Sequence, residues 1–201
     1  MLYPPLAGVS VGPIIVIIAI VAVAFWLVGA YNGLIALKFQ TQNALKQIDV
    51  QLKRRHDLIP NLLEAVKGAM QFEKQTLQAV VEARNQALKV SGGDIQNVAR
   101  MAAAEQQLTG ALGKLLAVVE AYPDLKATNN IGQLQEELTS TENKIGFARQ
   151  LYNDTATQYN TRQHQFPTSL VAGLAGAMPA ELWEITDDAE KAVPKVDLGM
   201  K

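Results

Sequence analysis

A long apolar run stands near the start of the chain, from Ile14 to Leu37, interrupted only by a tyrosine, an asparagine and glycines. At about 1.5 Å per helical residue, this run is long enough to cross the roughly 30 Å hydrocarbon core of a bilayer. No Asp, Glu, Lys or Arg precedes Lys38. The pattern therefore predicts one transmembrane helix over residues 13–37, with residues 1–12 forming a short N-terminus outside the cytoplasm.

A cleaved signal peptide is the main alternative for this apolar run. Val28-Gly29-Ala30 has the small residues of a cleavage site. However, the segment before the run has no Lys or Arg, and the run is longer than the apolar region of an ordinary signal peptide. We therefore interpret the run as an anchor that stays in the mature protein.

Beyond Lys38 the apolar positions recur at spacings of three and four, the spacing of one face of a helix. One such stripe comprises Leu45, Ile48, Leu52, Arg55, Leu62, Val66, Leu77 and Val80 or Val81. The next comprises Ile95, Val98, Met101 or Ala102, Leu108, Leu112, Leu115 or Leu116, and Val119. The last comprises Leu134, Leu138, Thr141, Ile145, Ala148, Tyr152, Thr155, Tyr159, Arg162 and Phe166. This last stripe keeps a 3.5-residue repeat, which is typical of helices packed knobs-into-holes.

Turn-forming residues divide these stripes into separate helices. Ser91-Gly92-Gly93-Asp94 predicts the end of one helix and the start of the next, with Asp94 as the N-cap. Tyr122-Pro123-Asp124 predicts another end, and Thr128-Asn129-Asn130 begins the final helix. Pro60 leaves two interpretations open, a new helix capped by Asp57 or a kink in one long helix, and the unbroken stripe favours the kink.

The fold class predicted from these elements is all-α. No bounded stretch of alternating apolar and polar residues indicates a strand, and long helices joined by short loops run antiparallel. We expect a single N-terminal transmembrane helix followed by a long antiparallel helical bundle over residues 38–167, with coiled-coil-like packing. Residues 168–185 are predicted to form a short docking helix, and residues 186–201 an acidic flexible tail. This tail could instead pair with the basic residues of another copy.

Charge is balanced overall but unevenly distributed along the chain. The formal net charge is −1, which disfavours a nucleic-acid partner. From Lys38 to Lys89 nine Lys and Arg outnumber five Asp and Glu. Because basic residues flank only this side of the anchor, the positive-inside rule predicts a single-pass protein of the cytoplasmic (inner) membrane with its bundle in the cytoplasm. The residues predicted at the membrane interface are Trp26, Tyr31, Lys38 and Lys46.

The residues that carry chemistry form no recognised catalytic or metal-binding pattern. The 201-residue chain has no cysteine, and neither His56 nor His164 follows a Glu by three residues, as a di-iron bundle requires. The sequence also has no phosphate-binding glycine loop and no Gly-x-Ser-x-Gly elbow. We predict no catalytic, cofactor-binding or metal-binding residues, no cofactor, and a protein that is not an enzyme.

Charged residues cluster on the first bundle helix just before Pro60. With two later arginines they form a predicted charge layer, which consists of Lys53, Arg54, Arg55, Asp57, Arg84 and Arg149. Their candidate partners are Asp49, Glu64, Glu82 and Glu120. Because Arg at a core position is costly unless it is paired, we expect internal ion pairs that fix the register of the helices. Two alternatives stay open, contact between subunits and a site for a ligand or polar partner.

Three ordered sequence blocks give the chain a specific resemblance. The first runs from Gln47 to Leu62 as QIDVQLKRRHDLIPNL and is followed by Val66-Lys67-Gly68 and Glu82-Ala83-Arg84. The second runs from Leu115 to Ala127 as LLAVVEAYPDLKA. The third includes Leu134-Gln135, Thr141-Glu142, Ala148-Arg149, Tyr152-Asn153, Tyr159-Asn160 and Phe166-Pro167. Over about residues 31–183, the chain resembles the LemA family of bacterial membrane proteins.

The resemblance implies a short outer N-terminus, one membrane helix and a cytoplasmic antiparallel bundle, without an established enzymatic activity. A magnetosome-forming relative implies a role in organising membranes. The sequence departs from the family pattern at Ala44-Leu45-Lys46, where the family often has Ala-Trp-Ser, and at Ile131, where it often has Phe. Both departures bear on local packing.

The leading functional hypothesis is a non-enzymatic helical bundle, anchored in the lipid bilayer, that forms a homo-oligomer at the cytoplasmic face. Such a scaffold would organise or shape the membrane or partner membrane proteins. The alternative is a monomeric adaptor for a membrane sensor or protease. An unrecognised enzyme is the third hypothesis.

Overall fold

The computed structural model describes residues 11–68, 70, 73–122 and 129–184, and these residues form an all-α fold. The five helices are α1 (Val11–Lys67), α2 (Lys74–Val90), α3 (Val98–Glu120), α4 (Asn129–His164) and α5 (Thr168–Ala172). No strand occurs within the described ranges. The predicted all-α class is confirmed. Nearly all of the predicted N-terminus, the connection over residues 123–128 and the acidic tail lie outside the described residues.

Helix α1 carries both the apolar segment and the first helix of the bundle in one continuous element of 57 residues. It is the one helix of the described part that is long and apolar enough to cross a membrane. Pro60 lies inside α1, so the helix does not restart there. The Asp57 carboxylate instead accepts a hydrogen bond from Lys53 Nζ at 3.0 Å, one turn earlier in the same helix.

The four long helices pack as an antiparallel bundle. Along the α1–α4 interface, Arg54 lies near Glu137, whereas far towards the other end of α1, Trp26 meets Phe166. Helix α2 is also antiparallel to α1. Its Arg84 contacts His56, and Gly92, just beyond the end of α2, contacts Asp49, which lies about two turns before His56 in α1. The helices are antiparallel because short connections allow consecutive helices to pack side by side only when they run in opposite directions.

Two apolar clusters form the core of the bundle. The proximal cluster, nearer the apolar segment, includes Ile48, Leu52, Met101, Tyr152 and Tyr159, and the distal cluster includes Ile59, Leu62, Val66, Leu108 and Leu115. Most positions of the predicted stripes are buried in one of these clusters or between them. The helical periodicity of the sequence therefore located the core.

The end of the last stripe is an exception. Arg162 and Phe166 were expected on the buried face, but both are exposed, and Gln163 is buried instead. A straight helix has 3.6 residues per turn and drifts by about 20° per heptad from a 3.5-residue repeat. After four heptads this drift amounts to nearly one residue, so the buried position moves from 162 to 163.

The segment after α4 is helical over a shorter range than the predicted docking helix of residues 168–185. Only Thr168–Ala172 is helical, and residues 177–184 have no regular secondary structure. Gly176, with φ of 55°, adopts a left-handed conformation that favours glycine, and Pro179 cannot donate a helical hydrogen bond. We call residues 165–178 the elbow and residues 180–184 the strap.

Asp49 provides a test of pH dependence at the contact between α1 and the α2–α3 turn. Burial raises the pKa of the Asp49 carboxyl, and a hydrogen bond from the Gly92 backbone partly offsets this shift. The raised pKa means that the stability associated with protonated Asp49 is fully present below the unfolded pKa, near 3.9. This stability is lost as pH rises through the folded pKa.

Asp49→Asn should therefore raise the melting temperature of the full chain at neutral pH, and the gain should disappear as pH falls below about 4. Thermal unfolding followed by circular dichroism in mild detergent, in steps from about pH 3.5 to 7.5, measures the difference. Asp154→Asn, at an exposed position of α4, is the control. A gain of equal size at every pH would contradict the prediction.

Candidate functional site

A layer of polar side chains crosses the bundle between the two apolar clusters. It is formed by Arg55 and His56 of α1, Glu105 of α3 and Thr141 of α4, which are 4%, 2%, 0% and 1% exposed. Leu52 on one side belongs to the proximal cluster, and Ile59 on the other belongs to the distal cluster. We call these four residues, together with Thr109 and Glu142 that contact them, the polar layer.

Glu105 contacts two consecutive side chains of α1. Its Oε1 lies 2.8 Å from His56 Nε2, and its Oε2 lies 3.7 Å from Arg55 Nη1. Because a carboxylate oxygen can only accept a hydrogen bond, we assign a proton to Nε2 of the His56 ring, which donates to Glu105. Helix α3 is thereby joined to α1 at the level of the polar layer.

The Arg55 guanidinium connects three helices. Its Nη2 donates to Thr109 Oγ1 of α3 at 2.9 Å, and its Nη1 lies 3.1 Å from Glu142 Oε2 of α4. Thr109 Oγ1 in turn donates to the Glu105 carbonyl at 3.0 Å. The side chain of Glu142 is 40% exposed, so the layer is open to solvent on the α4 side. These contacts connect α1, α3 and α4 at one level of the bundle.

Arg84 of α2 compensates for the proline in α1. Pro60 has no N–H, so the helix cannot supply a hydrogen bond to the carbonyl four residues earlier, which is that of His56. The Nε of Arg84 donates to this carbonyl oxygen at 2.9 Å. The Pro60 and Arg84 motifs, which are separated in sequence, therefore form one local arrangement beside the polar layer.

We expect Arg84→Met to destabilise the chain by about 1–2 kcal/mol, because it leaves the His56 carbonyl without a partner. The same change in a Pro60→Ala background should cost less, because an alanine at this position restores the backbone N–H that the helix lacks. Urea unfolding of the four proteins gives a double-mutant cycle with an expected coupling of about 1 kcal/mol. Additive effects would show that Arg84 and Pro60 act independently.

The other residues of the predicted charge layer lie elsewhere. Lys53 and Asp57 form a pair on the surface, with side chains 78% and 62% exposed, and Arg54 lies 3.8 Å from Glu137 in a half-exposed pair. Exposed pairs of this kind contribute little to stability. Arg149 lies near the strap, described below. Of the predicted set, Arg55 alone has its side chain within the polar layer, with Arg84 beside it.

The partners of Arg55 were not those expected from the sequence. Asp49 is at the Gly92 turn, and the three other candidates, Glu64, Glu82 and Glu120, are exposed. Glu105 and Glu142 take their place. A signal for Glu105 was present, because it lies three residues before Leu108 and seven before Leu112, within the apolar stripe of α3.

The strap is held by two asparagines of α4. Asn160 donates to the Ala180 carbonyl and accepts from the Ala180 N–H, both at 2.8 Å. Asn153 makes the same pair of bonds with Trp183, at 3.0 and 2.8 Å. The Arg149 guanidinium lies 5.0 Å from the centre of the Trp183 ring, a cation–π geometry. Each asparagine thus binds the backbone of an extended peptide segment.

Glu181 of the strap also determines how α3 begins. Its carboxylate accepts from the Ala99 N–H at 3.0 Å, and its own N–H donates to the Ile95 carbonyl at 2.7 Å. The prediction of Asp94 as the N-cap was wrong, because α3 begins at Val98 and Asp94 instead accepts from Ile95 N–H. A negative side chain at a helix start is stabilised by the helix dipole, and Glu181 supplies it here from 82 residues away.

Tyr152 completes this contact from the side of α4. Its hydroxyl donates to the Glu181 carbonyl at 2.6 Å, and the ring is fully buried. Burial is the main reason that the pKa of this hydroxyl is raised, followed by the charges of Glu181 and Asp94. Tyr152 therefore stays protonated and serves as a hydrogen-bond donor.

The residues predicted at the membrane interface lie along α1. Trp26 and Tyr31 are 50% and 40% exposed, Lys38 is half-buried and Lys46 is exposed. The Trp26 ring lies 6.1 Å from that of Phe166 in the elbow. Their role at a membrane surface stays a prediction.

The described residues contain no group of three or more His, Cys, Asp or Glu side chains placed to hold a metal ion. The polar layer contains one imidazole and two carboxylates, but each is already engaged with a neighbour in the bundle. His164 is exposed and hydrogen-bonds through Nδ1 to the Asn160 carbonyl. The layer connects helices of the bundle to one another, and the strap connects α4 to the start of α3.

Comparison with known proteins gives consistent matches. The sequence profile of the LemA family matches residues 44–198. Protein LemA of Metamycoplasma hominis is 30% identical over 148 residues, covering 74% of this chain and 66% of that protein. Magnetosome protein MamQ 2 of Paramagnetospirillum magneticum is 24% identical over 192 residues, covering 85% of this chain and 71% of that protein. The chain spans about two thirds of the length of these relatives.

The match to the family profile includes the polar layer and the strap and begins after the apolar segment. The apolar half of α1 adds a helix able to cross a bilayer, so the family and this helix together indicate a membrane-associated helical protein. Since the profile covers most of the sequence, the chain belongs to the LemA family.

Proposed function

We propose that this protein is a single-pass, non-enzymatic membrane scaffold whose bundles associate side by side at the cytoplasmic face. The proposal rests mainly on an exposed apolar groove between α1 and α4. In this association groove Val50, Phe147 and Leu151 are 63%, 74% and 43% exposed. Gln47, Gln51 and Lys144 line it together with these three residues. Large apolar side chains clustered at one surface mark interaction sites.

The position of the groove favours contact between neighbouring copies. Val50 lies 16 residues after the buried Leu34, so the groove is about 24 Å further along the α1 axis than that residue. It faces sideways from the bundle, and two copies anchored in the same bilayer can therefore meet through it. A two-fold axis perpendicular to the membrane would make the interface self-complementary.

The charge distribution supports the cytoplasmic orientation. Lys38 and Lys46 follow the apolar segment closely, and no Lys or Arg precedes it. Short flanking segments with more Lys and Arg stay on the cytoplasmic side. The similarity to magnetosome proteins supports the further step that assembled copies organise membrane or partner proteins.

The test is the mass of the full chain in mild detergent over a range of concentrations, by light scattering after size exclusion. We expect the wild type to form an oligomer, and Phe147→Gln with Leu151→Gln to raise its dissociation constant by about tenfold or more. The reason is that aromatic anchors at the centre of an interface each contribute roughly 2 kcal/mol, and about 1.4 kcal/mol corresponds to tenfold. Val81→Gln is the matched control, at an apolar position of α2 that is 42% exposed and outside the groove.

A wild type that stays monomeric at high concentration would overturn self-association and leave the adaptor hypothesis in its place. Equal weakening by the Val81 variant would show that the groove is not the interface. Orientation is tested separately, since a reporter fused at the C-terminus must be found in the cytoplasm.

A further inference from the structure

The elbow presents apolar side chains that no described residue covers. Phe166, Leu170, Leu174 and Met178 follow each other at intervals of four and are 75%, 62%, 84% and 58% exposed. Thr168 and Val171 between them are buried against the bundle, so the elbow is anchored while its outer side stays apolar. Residues 163–180 contain no Asp, Glu, Lys or Arg. An uncharged apolar surface of this kind is unusual in contact with water alone.

The elbow lies beside the apolar half of α1. The Phe166 ring is 6.1 Å from the ring of Trp26, and α5 packs against α1 and α4. Ala30 and Leu34 of α1 are buried, at 8% and 1% exposure, so protein packs against one face of α1 from this level onwards. The exposed apolar surface of the elbow is therefore continuous with the exposed apolar surface of α1.

The length of the uncovered part of α1 locates the elbow relative to the bilayer. Among the residues before Ala30 whose burial is described, 12 to 29 remain open to their surroundings, and they make about 27 Å of helix. A hydrocarbon core is about 30 Å thick. If α1 spans that core, the level of Trp26 to Leu34, and the elbow with it, must lie at the boundary between acyl chains and headgroups.

We infer that the elbow is a second membrane contact, inserted into the bilayer surface at the point where α1 exits the bilayer. The exposed apolar surface of the elbow is covered by the lipid bilayer, which accepts apolar side chains without a shaped pocket. The inference rests on the proposed membrane-spanning role of α1. Phe166, Leu170 and Leu174 enter the interface, and the bundle is thereby attached to the membrane at two points.

Because the chain has no cysteine, single-cysteine variants report one position each. We would attach a nitroxide to Leu174→Cys, Val21→Cys and Val81→Cys in the full chain, reconstituted in phosphatidylcholine–phosphatidylglycerol vesicles. Val21 is in the apolar half of α1, and Val81 is an exposed apolar position far along the bundle. Circular dichroism would establish that each labelled protein is folded. Electron paramagnetic resonance then compares collisions with oxygen, which concentrates in lipid, and with a water-soluble nickel chelate.

The label at Leu174 is expected to show an oxygen-to-nickel ratio several-fold above that at Val81 and below that at Val21. A ratio at Leu174 equal to that at Val81, with Val21 still protected, would overturn the elbow inference while α1 remains a spanning helix. Nickel access at Val21 would overturn the spanning role itself and the elbow inference with it.

Discussion

Glu105→Ala should destabilise the bundle by about 3–5 kcal/mol, the largest effect we expect from any single charge removal in this chain. The change leaves Arg55 buried with its carboxylate partner on α3 gone and deprives the His56 ring of its acceptor. Urea unfolding of the full chain in mild detergent, followed by circular dichroism, measures the loss. Glu142→Ala is the control, because its 40% exposed side chain is replaced by water and should cost below about 1 kcal/mol.

A combined variant separates stability from register. Arg55→Met, His56→Leu and Glu105→Leu together remove the charges and join the two apolar clusters. Because apolar replacement of a buried ion pair is often neutral or stabilising, this variant should recover most of the lost free energy of unfolding. If the polar layer sets the register, the variant will show broader, multiple amide resonances. Sharp, single resonances would show that packing alone fixes the register, and a small loss in Glu105→Ala would show that the layer is not buried in solution.

Trp183→Ala should be the second most damaging substitution, with a loss of about 3–5 kcal/mol. Trp183 is 4% exposed and belongs to the proximal apolar cluster, and its ring also faces the Arg149 guanidinium. Without this side chain, only hydrogen bonds from α4 and the start of α3 and the buried Ala180 hold the strap. The strap should then detach more often, and the start of α3 should lose its contact with Glu181.

Limited proteolysis detects this detachment directly. A glutamate-specific protease should cut Trp183→Ala after Glu181 much faster than the wild type, because cleavage needs an unbound, extended segment. Leu170→Ala is the control, at an exposed apolar position whose loss leaves the strap contacts intact. Equal cleavage rates in Trp183→Ala and the wild type would contradict the assigned role of the tryptophan.

The core of the bundle could be predicted from the sequence because each helix repeats its apolar residues in phase. Leu52, Ile145 and Leu112 each follow from spacing within one helix. Glu105 follows the same spacing, but the basic cluster around Arg55 does not point to it, because Glu105 is on a different helix, 50 residues further along the chain. A charged residue on an otherwise apolar stripe is therefore a better guide to a buried polar layer than a cluster of charges along the chain.

The strap could not be predicted in the same way. Its backbone pairs with Asn153 and Asn160, which are 30 and 20 residues away in sequence and carry no periodic signal. The glycines and Pro179 did signal that a helix over residues 168–185 would be interrupted, but not where the chain would go. Similarly, Arg84 reaches the His56 carbonyl only because α2 folds back along α1. The periodicity within one helix carries no information about how two helices pack.

The unbroken length of α1 has a mechanical consequence. Its 57 residues make a rod of about 85 Å, with the apolar segment at one end and the distal apolar cluster around the other. Spanning helices commonly lean by about 20° to match the thickness of their bilayer. A change of lean by only about 10° would carry the far tip of such a rod through roughly 15 Å. The thickness of the surrounding lipid would then determine how the bundle is oriented relative to the membrane.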